Sequence, residues 1–144
     1  MRKLFFTVAL FAASFAFAAD PGVDAKVEKS FNEAFPKAEK VTWYESEGKY
    51  EVLFTNNEVQ CRLWYDRDGN VIKTERYYTE KGLCPFMLAR LNKKFNGKKV
   101  FGVTEVTSET GVTYHIVLED AQKWYHVTSD SAGNLNLEKK LLKA

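Results

Sequence analysis

An α+β fold is predicted, as a tandem repeat of one helix plus four antiparallel strands, with both helices packed on one face of the sheet, which is either continuous or paired. Three observations predict it. Tyr50, Val52 and Phe54, then Cys61 and Leu63, then Asp66-Arg67-Asp68-Gly69-Asn70-Val71 form one pattern. It returns at a constant offset as Tyr114, Ile116 and Leu118, then Tyr125 and Val127, then Asp130-Ser131-Ala132-Gly133-Asn134-Leu135. A fixed-offset echo of this kind constrains architecture before any single element does. Each copy is preceded by apolar residues at helical spacing, and each contains runs that alternate apolar and polar as half-buried strands do.

The organisation follows in chain order. Residues 1–19 read as a signal peptide, 20–80 as the first helix-plus-four-strand unit and 81–144 as the second. Arg2 and Lys3 form a basic n-region, and Leu4 to Phe15 is an apolar run broken only by Thr7 and Ser14. Ala16-Phe17-Ala18 and Phe17-Ala18-Ala19 supply the small residues for cleavage after Ala18 or Ala19. The run is shorter than the roughly 20 residues that span a bilayer. The whole chain has 21 Lys and Arg against 19 Asp and Glu, so losing Arg2 and Lys3 brings the net formal charge to zero. A neutral chain gives no electrostatic case for nucleic acid, or for a membrane once the signal is removed. About 125 residues remain, enough for one compact core.

In the first unit Asp24 is a plausible N-cap, and Val27, Phe31, Ala34 and Phe35 make one apolar stripe that Pro36 ends. A first strand spans Lys40 to Glu45, with Val41 and Trp43 on one parity. Tyr50 to Thr55 is the second strand, and Asn56-Asn57 reads as a two-residue hairpin loop because Asn tolerates positive φ. That loop sets Val52 opposite Cys61, Tyr50 opposite Leu63 and Glu51 opposite Arg62. The turn Asp66 to Asn70, with Gly69 at positive φ, leads to a fourth strand, Val71 to Tyr78.

In the second unit Pro85 suits the first turn of a helix, Met87, Leu88, Leu91 and Phe95 trace its apolar stripe, and Gly97 follows its end. Strands are expected over Phe101 to Thr107, Thr113 to Glu119, Lys123 to Ser129 and Asn134 to Leu141. A loop at Asp120-Ala121 sets His115 opposite His126 and Val117 opposite Trp124.

Few constellations carry chemistry. The chain has no nucleophile elbow, phosphate loop, HExxH or dinucleotide-binding glycine pattern. Asp66 to Asn70 resembles the start of a calcium loop, but Tyr77 stands where the closing Glu belongs, so a turn is the better reading. His115 and His126 are the only histidines, and no third ligand joins them. No catalytic residue, metal ligand or cofactor is therefore expected. Cys61 and Cys84 could form a disulfide in an oxidising compartment or remain two buried thiols.

The sheet face away from the helices is the candidate partner-binding surface. By parity it carries Leu53, Arg62 and Trp64 in the first unit and Val117, Trp124 and His126 in the second. Aromatics and Arg dominate binding hot spots, and contiguous exposed apolar surface marks interaction sites. An exported protein or peptide is the expected partner. A small-ligand or metal carrier using the same face or the groove between the halves is the alternative.

Phe31-Asn32-Glu33-Ala34-Phe35-Pro36-Lys37-Ala38, then Val41-Thr42-Trp43, the Gly48-Lys49-Tyr50-Glu51-Val52 strand and the Asp66 to Asn70 turn resemble the PepSY-like family of exported bacterial proteins. That family is also described as β-lactamase-inhibitor-like. The second unit departs from the pattern: Asn96-Gly97 stands where a Pro would follow the helix, and Val103 replaces Trp43. The resemblance covers essentially the whole chain after the signal. It implies tandem helix-plus-four-strand units, a periplasmic or secreted location, and non-catalytic binding or inhibition of another exported protein such as a hydrolase. It supplies no inhibitory loop that can be carried over residue by residue.

Overall fold

The computed structural model describes residues 22–144; the expected signal peptide lies outside the described residues. The order is α1 (Ala25–Ala34), β1 (Glu39–Ser46), β2 (Lys49–Asn56), β3 (Val59–Tyr65), β4 (Val71–Tyr78), a 3-10 turn (Glu80–Gly82), α2 (Pro85–Lys94), β5 (Lys99–Ser108), β6 (Gly111–Glu119), β7 (Lys123–Asp130) and β8 (Leu135–Leu142). Among the described residues no helix is long and apolar enough to cross a membrane.

The expected tandem repeat is corrected. All eight strands form a single antiparallel sheet in sequence order, so the molecule is sheet-dominated α+β and does not divide into two helix-plus-four-strand units. The joining ladder is β4 with β5, paired from Lys73 opposite Ser108 to Tyr78 opposite Val103. A sheet ending at β4 would leave that strand's N–H and C=O groups as an open edge, and β5 satisfies them instead.

Both helices lie on one face of this sheet. Paired residues share a face, and Val52, Leu63, Thr74 and Thr107 are linked pair by pair across β2 to β5. Two residues along β5 at a time, Thr107 leads to Glu105 and Val103, and Val103 opposes Ile116, which opposes Val127. Val27 and Phe31 of α1 pack with Tyr50, Val52, Phe54, Leu63 and Tyr65. Met87 and Leu91 of α2 pack with Val103, Ile116, Leu118, Tyr125 and Val127. Between these apolar clusters the same face turns polar. There Arg76 Nη1 meets Glu105 Oε1 at 3.2 Å, and the Tyr78 hydroxyl donates to Glu105 Oε2 at 2.7 Å.

Local chemistry sets the helix ends. Asp24 caps α1 by accepting from the Lys26 amide at 2.9 Å, and Phe35 closes it as C-cap just before Pro36. Pro85 opens α2, where its missing N–H costs nothing.

Two hairpin registers differ from expectation by two residues. The β2–β3 loop is Asn57-Glu58, with φ of 48° and 66°, in place of Asn56-Asn57. Val52 therefore faces Leu63, Tyr50 faces Tyr65 and Glu51 faces Trp64. Glu58 in the left-handed region is a strained choice that composition does not announce. In the β6–β7 turn Asp120 Oδ1 accepts from the amides of Gln122 and Lys123 at 2.9 and 2.8 Å. His115 consequently faces Thr128, Val117 faces His126 and Glu119 faces Trp124. A two-residue shift keeps every side chain on its expected face, whereas a one-residue shift would invert them. In β1 the pairing shifts between Glu39 and Thr42, and Lys40 has φ of 55°. Trp43 stays against the core while Val41 is left 39% exposed.

The turn after β3 is built on Asp66, whose Oδ1 accepts from the amides of Asp68 and Asn70, both at 2.9 Å. Gly69 has φ of 84°, and a Cβ there would stand 3.2 Å from the Lys26 carbonyl oxygen of α1. Gly69→Val is expected to lose about 1 kcal/mol or more through backbone strain and this contact. Urea denaturation measures it, and an unchanged midpoint would show that the turn accommodates a side chain.

Three such turn carboxylates are expected to make folding acid-sensitive. The Asn70 side chain holds Asp66 below its ordinary pKa, the Tyr125 hydroxyl does the same for Asp120, and the Asn134 amide for Asp130. Depressed folded values mean stability present above the unfolded pKa of about 3.9 and lost as pH falls through the folded values. Melting temperature is expected to decline below about pH 4, less steeply in Asp120→Asn. A parallel decline in the variant would exclude Asp120 as a contributor.

Candidate binding face on the uncovered side of the sheet

The sheet face opposite the helices carries all six sequence-selected residues. Leu53 opposes Arg62, Trp64 opposes Glu51 and Lys73, Val117 opposes His126, and Trp124 opposes Glu119 and Leu141. Leu53, Trp64, Val117 and Trp124 are half-buried, while Arg62 and His126 are exposed. Among the described residues, both helices and their apolar clusters lie on the other side.

The six do not form one cluster. Leu53, Arg62 and Trp64 sit on β2 and β3; Val117, Trp124 and His126 sit on β6 and β7. Strands lie about 4.8 Å apart, so β3 and β6 are about 14 Å apart.

Each tryptophan lies beneath a lysine held by a glutamate. Lys73 Nζ is 4.3 Å from the Trp64 ring centroid and 2.6 Å from Glu75 Oε1. Lys143 Nζ is 4.4 Å from the Trp124 ring centroid and 2.6 Å from Glu119 Oε2. Arg62 joins the first group, 3.1 Å from Glu51 Oε1 and 5.8 Å from the Trp64 centroid. Phe101 joins the second, edge-on to Trp124 with centroids 4.8 Å apart. Ammonium groups over indole faces gain cation–π attraction while their alkyl stems screen the rings from water.

Tyr77 stands between the groups, 44% exposed. A Cβ on Gly102 would lie 2.6 Å from the Tyr77 hydroxyl oxygen, so glycine there gives the ring its seat. Leu53, Gln60, Arg62, Glu75, Tyr77 and Thr104 help line a shallow hollow of about 420 Å³. Tyr77 was legible from its parity with Lys73 and Glu75 in β4. Phe101 was not, because the β5–β6 register shifts between Val100 and Gly102 and turns it to this face. The two lysines over the tryptophans carry no sequence signal of their own.

The expected His115–His126 pair does not form, since Thr128 opposes His115. Cys61 and Cys84 are free thiols and are not joined. Cys61 packs beside the α1 cluster, where burial raises its pKa, and its Sγ lies 3.6 Å from the Val59 carbonyl oxygen. Cys84 is the exposed N-cap of α2.

This overall fold recurs in solved structures. A BLIP-like protein from Bacteroides fragilis superposes with a TM-score of 0.63 at 18% identity, covering 83% of this chain and 86% of that one. The fold is BLIP-like. A DUF2874 family protein from Bacteroides ovatus gives 0.62 at 21% identity, over 86% of this chain and 88% of its own. A Bacteroides eggerthii protein, provisionally assigned to the periplasm, gives 0.62 at 17% identity, over 83% of this chain and 88% of its own. No family model matches the sequence, and no curated protein matches it. At these identities the BLIP-like likeness establishes fold alone.

Proposed function

We propose that this chain is an exported, non-catalytic binding module that holds a protein or peptide, in inhibitor fashion, on the uncovered sheet face. The carrying observation is the pair of half-buried tryptophans, each beneath a glutamate-anchored lysine, on a face without a covering element among the described residues. Flat aromatic surface under a charged cover suits contact with a macromolecule, which can displace the lysine stems and bury the rings. The PepSY-like motifs and the BLIP-like fold support the inhibitor-like and periplasmic parts of this reading.

Affinity capture from a periplasmic extract tests it, comparing the native protein with a Trp64→Ala, Trp124→Ala double variant. Selective loss of a stoichiometric partner supports the face, and equal recovery by both proteins counts against it. The hollow beside Tyr77 favours a second reading, a small-ligand carrier. Native mass spectrometry of protein from its own host separates the two, because a stoichiometric bound mass supports the carrier.

A further inference from the structure

Charge is unevenly distributed along the neutral chain. Residues 20–80 hold nine Lys and Arg against thirteen Asp and Glu, whereas residues 81–144 hold ten against six. The excess is concentrated: between Glu80 and Glu105 lie Lys81, Arg90, Lys93, Lys94, Lys98 and Lys99, with no Asp or Glu.

Phe86, Arg90, Lys93 and Lys94 fall four, three and one residues apart, on one flank of α2. That flank faces the turn after β7. Together Arg90, Lys93, Lys94, Gly133, Asn134 and Leu135 line a cleft of about 560 Å³. Arg90 Nε donates to the Gly133 carbonyl at 2.7 Å, which leaves both Nη groups as donors. The guanidinium carbon lies 5.5 Å from the Phe86 ring centroid, so the fork is supported from one side. Lys94 Nζ donates to the Leu135 carbonyl. The carboxylate at this turn, Asp130, accepts from the Asn134 amide and side chain at 3.0 and 2.7 Å. Among the described residues the ion pairs involve none of Arg90, Lys93 or Lys94.

The corresponding junction of α1 supplies an internal control. Ser30 Oγ there donates to the Gly69 carbonyl at 3.0 Å, and Lys29 is paired with Glu33 at 3.8 Å. Helix–turn packing is thus achieved without concentrated positive charge. Lysines near a helix C-terminus favour the helix dipole, which accounts for Lys93 and Lys94 but not for Arg90 one turn earlier.

We propose that the α2 cleft binds a phosphate-class oxyanion, with Arg90 supplying a planar donor fork and Lys93 and Lys94 supplying charge. The ligand is a free phosphate or a phosphate headgroup, since both present the same oxygens.

Amide chemical shifts of the purified protein, followed during titration with inorganic phosphate at low ionic strength, test the proposal. Saturable shifts are expected at residues 90–94 and 133–135. Lys93→Gln touches no ion-pair partner among the described residues and is expected to weaken the response severalfold. Arg90→Gln with Lys93→Gln is expected to weaken it about tenfold or more. Lys26→Gln with Lys29→Gln should leave it unchanged. Phosphatidylglycerol vesicles, with phosphatidylcholine vesicles as control, form a second arm. Vesicle binding lost in the Arg90/Lys93 variant, without a response to free phosphate, would place the phosphate on a lipid. A response to free phosphate alone would place it in solution. No response in either arm, or shifts equal at all lysines, would overturn the site.

Discussion

Phe31→Ala is expected to lower folding stability by about 3–5 kcal/mol. Phe31 is 2% exposed, and its ring meets Phe54, Trp43 and Phe35 at centroid distances of 4.9, 5.3 and 5.6 Å. The first two contacts are edge-on, a geometry that adds to the area term. Helix α1 has ten residues, too few to persist alone, and its buried anchors are Val27 and Phe31. Truncation therefore leaves a cavity above Phe54 and also loosens the helix that covers Val52, Leu63 and Tyr65. Domains of this size have only about 5–15 kcal/mol in total, so the loss is a large fraction. Urea denaturation followed by tryptophan fluorescence measures it, with Trp43 reporting from the site of damage. Phe86→Ala, at a residue 54% exposed, is the control and is expected within about 0.5 kcal/mol of the native protein. A Phe31→Ala loss below 1 kcal/mol would show that α1 is not held by this ring.

Much of that core was legible because its signals are local. The stripe of Val27 and Phe31, the cap at Asp24 and the stop at Pro36 are all encoded within one helix. Strand parity also survived, since both hairpin errors were shifts of two residues. The loop errors have physical causes: Glu58 adopts a left-handed conformation, and the Asp120 side chain organises a longer turn than its neighbours suggest. The union of β4 with β5 was left open by the sequence, which allowed either a continuous or a paired sheet. Those strands are separated in sequence by the 3-10 turn and α2, and no periodicity encodes pairing across such a gap. An echo in sequence therefore looked like two units, while the hydrogen-bond ladder made one sheet. The candidate face was legible as a set of residues but not as a surface. Trp64 and Trp124 announced themselves by parity; the lysines above them depend on where long flexible side chains settle.

Those lysines shape the expected outcome at the face itself. Trp64→Ala and Trp124→Ala are each expected to weaken partner binding by about 2 kcal/mol or more, roughly 30-fold in Kd. Both rings are half-buried by side chains of the same face, and neither belongs to the apolar clusters beneath the helices. Folding should therefore change little, which separates this effect from that of Phe31→Ala. Trp64 on β3 and Trp124 on β7 stand four strands apart, so their costs should add if one partner spans both. If a partner covers only one group, the other substitution will be silent and the silent side will locate the boundary. Lys73→Met distinguishes cover from contact: a lysine that only screens Trp64 leaves affinity equal or tighter when removed. A lysine that pairs with the partner weakens binding and reduces its salt dependence. Titration calorimetry of the captured partner measures each Kd. Native affinity in both tryptophan variants would move the interaction off this face altogether.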